Sequence, residues 1–307
     1  MKKTNNWILI GLFGGLVLIF IAMKFFRSPK LESNLPENLT EVDSSKVTEL
    51  IVVPGKDRGA EIHLAKVRKD WSLKSGDRTG HLEQGRGSTS LQSLMNLKPQ
   101  SVLTKRKEKW NEFGVGDSTG THVKVMEGSS AQSDLWIGRT GFSQSSGGGY
   151  TFIRLNGENE VYSVDGFLEG QFNLGFNDWR DKSFTRLKRD SIDKITFRYP
   201  ADSSFVIEKK NGKWKMGAVA ADSAAVSSYL GGMEYKNITA FAEVAPAGYA
   251  VAVITFEKNS NIVATLEGWP GSGSWTVRSS KQPDTFFLSD ASMTKDVWKG
   301  RKAFEIK

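Results

Sequence analysis

The sequence predicts an α+β protein: a single N-terminal transmembrane helix followed by two tandem hairpin–helix–antiparallel-meander repeats. Three observations carry this reading. Trp7 to Met23 contains no charged residue. Short runs of alternating apolar and polar residues dominate the remainder, the mark of half-buried strands. Landmarks within residues 46–184 reappear in the same order within residues 191–304.

Carried past Lys24 to Phe26, the apolar stretch covers residues 7–26. A helix of that length spans ~30 Å, the hydrocarbon thickness of a bilayer. A cleaved signal peptide would end in a small-x-small site, but Ala22 follows Phe20 at that spacing. An uncleaved anchor is therefore expected within residues 1–27. Gly11 and Gly15 share one face of this helix, and Gly14 widens the same stripe. Close backbone approach over small residues is what pairs helices in lipid. The stripe is thus the expected interface with a permease helix or, in a homodimer, with a second copy. Lys2 and Lys3 on one side nearly balance Lys24, Arg27 and Lys30 on the other, so charge alone leaves the orientation open. Pro29, Pro36, Ser28, Ser33, Asn34 and Asn38 make residues 28–45 a linker.

The first repeat is expected over residues 46–187 and the second over 188–307. Val47-x-x-Leu50-x-Val52 is echoed by Ile192-x-x-Ile195-x-Phe197, and Trp71 by Trp214. Asn211-Gly212 predicts a tight hairpin, because both residues tolerate positive φ. A helix follows in each copy. Ser88-Thr89-Ser90 offers a cap to Leu91, Leu94 and Met95, and Asp222 or Ser223 a cap to Val226, Tyr229 and Leu230. Strands then return over 122–126, 134–137, 150–155 and 160–164, answered by 250–256, 262–267, 275–278 and 285–289. Each copy closes on a tryptophan in a basic segment, at Trp179 and Trp298.

Composition narrows the chemistry. The chain has no cysteine, which excludes disulfides, thiol catalysis and cysteine-ligated metals. His63, His81 and His122 are scattered, unlike a multi-histidine metal site. Of the net charge of +8, half comes from Lys2, Lys3, Lys24 and Arg27. The short run around Lys105–Lys109 contains Glu108 and reads as a solvated face, so no nucleic-acid partner is expected. Gly85-x-Gly87, Ser145–Gly149 and Gly271–Ser274 lack P-loop spacing and read as turns. His122 lies near Asp117 on a predicted strand, but no complete triad is apparent. No catalytic residue, metal ligand or cofactor site is expected. Repeated tryptophans suit a repeated core, whereas Trp110, in its charged segment, is the one expected to work at the surface.

Several landmarks together resemble the bacterial domain of unknown function 4340 family. They are Asp70-Trp71, Phe113-Gly114-Val115, Leu135-Trp136-Ile137-Gly138, Tyr150 to Val161-Tyr162, and Trp179-Arg180-Asp181-Lys182. The match is best over about residues 46–200. Gly116-Asp117 stands where the family commonly has a proline, and the leucine-rich segment after the Arg-Asp-Lys run is reduced to Ser183-Phe184. The resemblance implies a single-pass inner-membrane protein with a periplasmic C-terminal domain. It also implies a non-catalytic accessory or scaffold role beside the permease and auxiliary subunits of a gliding-motility-type ABC transporter. The alternatives are a stand-alone envelope module binding glycan or peptide, and a cryptic hydrolase.

Overall fold

The computed structural model describes residues 35–56, 61–142 and 147–306, together with Phe13 and residues 15–17. It is built mainly from two large antiparallel sheets. The first contains β1 (Glu49–Val53), β2 (Ile62–Val67), β3 (Asp70–Ser75), β4 (Arg78–His81), β5 (Pro99–Thr104), β6 (Thr121–Glu127), β7 (Ser130–Phe142), β8 (Gly149–Leu155) and β9 (Val161–Asp165). Their spatial order is β4-β3-β2-β1-β6-β7-β8-β9-β5. A two-stranded ladder of β10 (Ser183–Thr185) and β15 (Lys236–Asn237) follows. The second large sheet contains β11 (Lys194–Arg198), β12 (Phe205–Lys210), β13 (Lys213–Met216), β14 (Val219–Ala220), β16 (Ala252–Lys258), β17 (Asn261–Pro270), β18 (Trp275–Ser279) and β19 (Gln282–Ser289). Its order, β14-β13-β12-β11-β16-β17-β18-β19, repeats that of the first sheet except for the added β5.

The local chemistry explains the elements. β1 alternates buried Leu50 and Val52 with half-buried neighbours, and β11 does the same with Ile195 and Phe197. Asn211 and Gly212 both have positive φ, 51° and 78°, and close the β12–β13 hairpin. α5 (Ser223–Glu234) is capped by Asp222, whose carboxylate accepts from the backbone N–H groups of Ala224 and Ala225. It buries Val226, Tyr229, Leu230 and Met233 in the second core. α1 (Arg86–Leu94) starts before the serines expected to cap it. Gly85, with φ at 79°, makes the entry, and no side chain caps the helix. Its Leu91 and Leu94 join the first core.

This architecture corrects the α+β expectation: the protein is mostly β. Sheet edges gained strands that periodicity does not reveal, β5 against β9 and β14 against β13. The remaining helices, α2 (Trp110–Phe113), α3 (Leu168–Phe172), α4 (Phe176–Trp179) and α6 (Ala291–Val297), are one or two turns long. Even α5, with 12 residues, spans only ~18 Å. Among the described residues no helix is long and apolar enough to cross a membrane. The expected anchor helix, residues 7–26, lies outside the described residues apart from Phe13 and residues 15–17, so no described helix carries the single-pass inner-membrane and periplasmic placement, and it is not taken further. Of the glycine stripe, Gly11 and Gly14 lie outside the described residues, and Gly15 has open space around it. The linker also ends earlier than its composition suggests. Leu39 and Val42 are buried in the first core, and Leu39 donates its N–H to Leu97 O at 2.7 Å.

Trp71 and Trp214 occupy matching hairpin strands, β3 and β13, yet differ in burial. Trp214 is 7% exposed within the second core. Trp71 is only partly buried at the margin of the first, so the equal burial expected of them does not occur. Trp214→Ala should cost roughly 3–5 kcal/mol, the usual loss for a buried large aromatic. Trp71→Ala should cost about 1–2 kcal/mol, because its ring is only partly buried. Chemical denaturation of the two variants measures both; equal losses would contradict the difference in burial.

Candidate functional site

At one end of the second sheet, a groove of about 750 Å³ opens between the β11–β12 turn, the β17–β18 end and the segment after α6. Its aromatic wall is Tyr199, Trp275 and Trp298. The two indoles stack with centroids 5.6 Å apart and planes 28° apart. Gly268 makes this possible: a Cβ there would stand 2.7 Å from the Trp298 ring and 2.9 Å from Trp275. Pro200, Val251, Ala252 and Pro270 extend the apolar lining.

Two tyrosines fix the position of Trp298. The Tyr229 hydroxyl donates to Val297 O and the Tyr199 hydroxyl to Lys299 O, both at 3.0 Å. The carbonyls on either side of Trp298 are therefore held by phenols, that of Tyr229 buried and that of Tyr199 half-buried. Burial pushes both phenols above their ordinary pKa, and Tyr199 adds to the shift at Tyr229. The Trp298 indole N–H is buried without a hydrogen-bond partner among the described residues, as is that of Trp179, its counterpart in the first half of the chain. Lys295, Arg301 and Lys302 stand at the rim against one acid, Asp202. Arg301 is 3.5 Å from Glu305. The groove thus combines an apolar floor, a rigid aromatic wall and an excess of positive charge. That set can hold a segment carrying both apolar and acidic side chains.

The outer face of the first sheet forms a second cluster, from Trp110, Val115, Trp136 and Val161. Arg154, 2% exposed, lies with its guanidinium 3.8 Å from the Trp110 ring centre and 5.2 Å from that of Trp136. It donates to Val115 O and to Asp117. Burial acts against its charge, and Asp117 sustains it. Trp110, expected at the surface, is instead 7% exposed and donates its indole N–H to Asn159 O at 3.0 Å. The charges around it mark the outside of the short segment that covers this face. His122 stacks on Trp136 with centroids 4.1 Å apart, and its Nε2 hydrogen-bonds Asp134. The expected neighbour, Asp117, is engaged by Arg154 instead. The second sheet repeats the arginine–tryptophan pairing: Arg278 lies 5.6 Å from Trp269 and is held by Glu267.

Among the described residues no group of three or more His, Asp or Glu could hold a metal ion. Gly85-x-Gly87 belongs to the start of α1, and Gly271–Ser274 is a turn closed by Gly271 N–H to Ser274 O at 3.0 Å. Ser145 and Ser146 lie outside the described residues. The groove escaped the sequence reading because its wall comes from four separated segments. The equivalence of Trp179 and Trp298 was a signal, but it pointed to a shared core. Trp179 is fully buried, whereas Trp298 reaches the groove.

The fold defines a mostly-β protein built of two like-ordered antiparallel sheets, with an open aromatic groove at one end of the second. A family model described as "Domain of unknown function (DUF4340)" matches residues 81–251, more than half of the chain, and the protein belongs to that family. The matched span begins in β4 and ends just before β16, later at both ends than residues 46–200. No curated protein matches the chain, and no solved structure matches it.

The clamped tyrosines give a pH signature. With folded pKa values raised, their contribution to stability is fully present below the free-phenol pKa of about 10 and is lost as pH rises above it. Tryptophan fluorescence should report opening of the groove above about pH 10. Tyr199→Phe with Tyr229→Phe should remove the phenol part of that dependence. A profile identical in wild type and double variant would show that the phenols are not responsible.

Proposed function

We propose that the protein is a non-catalytic accessory and scaffold subunit of an ABC-type transporter complex, with the Tyr199–Trp275–Trp298 groove as its docking surface for a partner segment. The groove is the observation that carries the reading. Its stacked indoles and clamped Trp298 form a preorganised aromatic anchor site, the kind of feature that concentrates binding energy at protein interfaces. Lys295 and Lys302 favour an acidic flank on the partner. The transporter context comes from the family resemblance, in which such chains accompany permease and auxiliary subunits.

The test is co-purification of the full-length protein from its own host in mild detergent, with identification of what is bound. An ABC permease or ATPase component at near-stoichiometric amounts is expected. Lys295→Glu with Lys302→Glu, two exposed changes, should reduce that recovery about tenfold or more by reversing the rim charge. Absence of any transporter component from the wild-type preparation would sink the transporter role. Undiminished recovery with the double variant would remove the groove from it.

A further inference from the structure

A second cleft, of about 810 Å³, lies where the first sheet meets the second. Its lining includes Trp71, the hairpin tryptophan that differs in burial from Trp214. α1 approaches one side of the indole so closely that a Cβ on Gly87 would stand 2.3 Å from Trp71 Cγ. The indole N–H donates to Ser88 Oγ at 3.2 Å. The ring is therefore fixed in plane and orientation, and its remaining surface lines the cleft. Polar groups surround it: Asp70, Thr79, Gln84 and Ser88 from the first half of the chain, and Asp284 from β19 in the second. All five are exposed.

We propose that this cleft binds a neutral oligosaccharide, with one sugar ring stacked on Trp71. The apolar C–H face of a pyranose suits a rigid indole. Its hydroxyls, each both donor and acceptor, suit a ring of carboxylate, amide and hydroxyl side chains. Charge selects within the class. The cleft carries Asp70 and Asp284 against Lys69, with Glu83 paired to Arg86 at 2.9 Å, so uronic and sialic acids are disfavoured. A peptide is the poorer fit: beside the one aromatic platform the cleft offers only Val67 and Leu82 as large apolar side chains, within a mostly polar rim. Because Asp284 comes from the second sheet, the site exists only when both sheets are in place. It is separate from the Trp298 groove and does not depend on the transporter role.

Full-length protein is titrated by calorimetry with cellotetraose, maltotetraose and chitotetraose, with tetragalacturonate and a pool of unstructured peptides as comparisons. At least one neutral tetrasaccharide should bind, and tetragalacturonate should not. Trp71→Ala should weaken binding by about tenfold or more through loss of stacking, whereas Trp71→Phe should retain most of it. Asp284→Asn, at an exposed position remote from the Trp71 ring's packing, should weaken binding several-fold with an unchanged melting temperature. This guards against a Trp71→Ala variant that merely unfolds. The proposal fails if no neutral tetrasaccharide binds at about 10 mM, where even weak lectin-like affinities register. It also fails if binding survives both Trp71→Ala and Asp284→Asn, if tetragalacturonate binds equally well, or if only the peptides bind.

Discussion

Each large sheet depends on one non-local pairing, that of its first strand with the first strand of its meander. β1 pairs with β6 from Glu49↔Met126 to Val53↔His122, and β11 with β16 from Lys194↔Glu257 to Arg198↔Val253. Without these ladders each half would be a hairpin sheet and a separate meander, each with an exposed edge. With them, the intervening helix must lie across the sheet, which is how α1 and α5 reach their cores. The cost is the closure of long loops before any contact rewards it. The return is a continuous sheet whose inner face is almost entirely apolar.

Between the two sheets, Arg180 makes the principal connection. Its backbone bridges to Leu82 beside β4, and Asp181 N–H donates to His81 O at 2.7 Å. Its guanidinium lies 3.7 Å from the ring of Phe241, which itself bridges to Phe287 in the second sheet. Burial acts against the charge of Arg180, with Glu243 supporting it. Arg78 pairs with the same Glu243 at 3.0 Å, and Gln282 donates to Ser183 O at 2.8 Å. A cation stacked on aromatic rings keeps its charge while covering apolar surface. The polar cleft around Trp71 lies beside this junction and shares His81 and Leu82 with it.

Like ordering of the sheets did not bring like use of their side chains. Trp214 is core, whereas its counterpart Trp71 is pressed against Gly87 and left partly open. Trp179 is fully buried, whereas its counterpart Trp298 lines a groove. On the outer faces, Arg154 is covered by the segment carrying Trp110 and Val115, and Arg278 remains only half-buried beside Trp269 and Phe286. In each pair the difference lies in what covers the side chain. The open cleft at Trp71 and the groove at Trp298 arise where one copy lacks the cover that the other has.

The sequence by itself determined the features set within a few residues of one another. Alternation placed Leu50, Val52, Ile195 and Phe197 on buried faces, Asn211-Gly212 made a hairpin, and Asp222 capped α5. These follow from local stereochemistry and the two-residue period of a strand. Tertiary structure decided whatever required distant segments to meet. The mostly-β balance depends on edge strands such as β5, which exist only because β9 pairs with them. The burial of Trp110 depends on the cluster with Val115, Trp136 and Val161, and the partner of His122 on the β6–β7 register that brings Asp134 near. The groove depends on four segments converging on Trp298. Side-chain identity is written locally, but exposure is a property of the neighbours, and the neighbours here come from elsewhere in the chain.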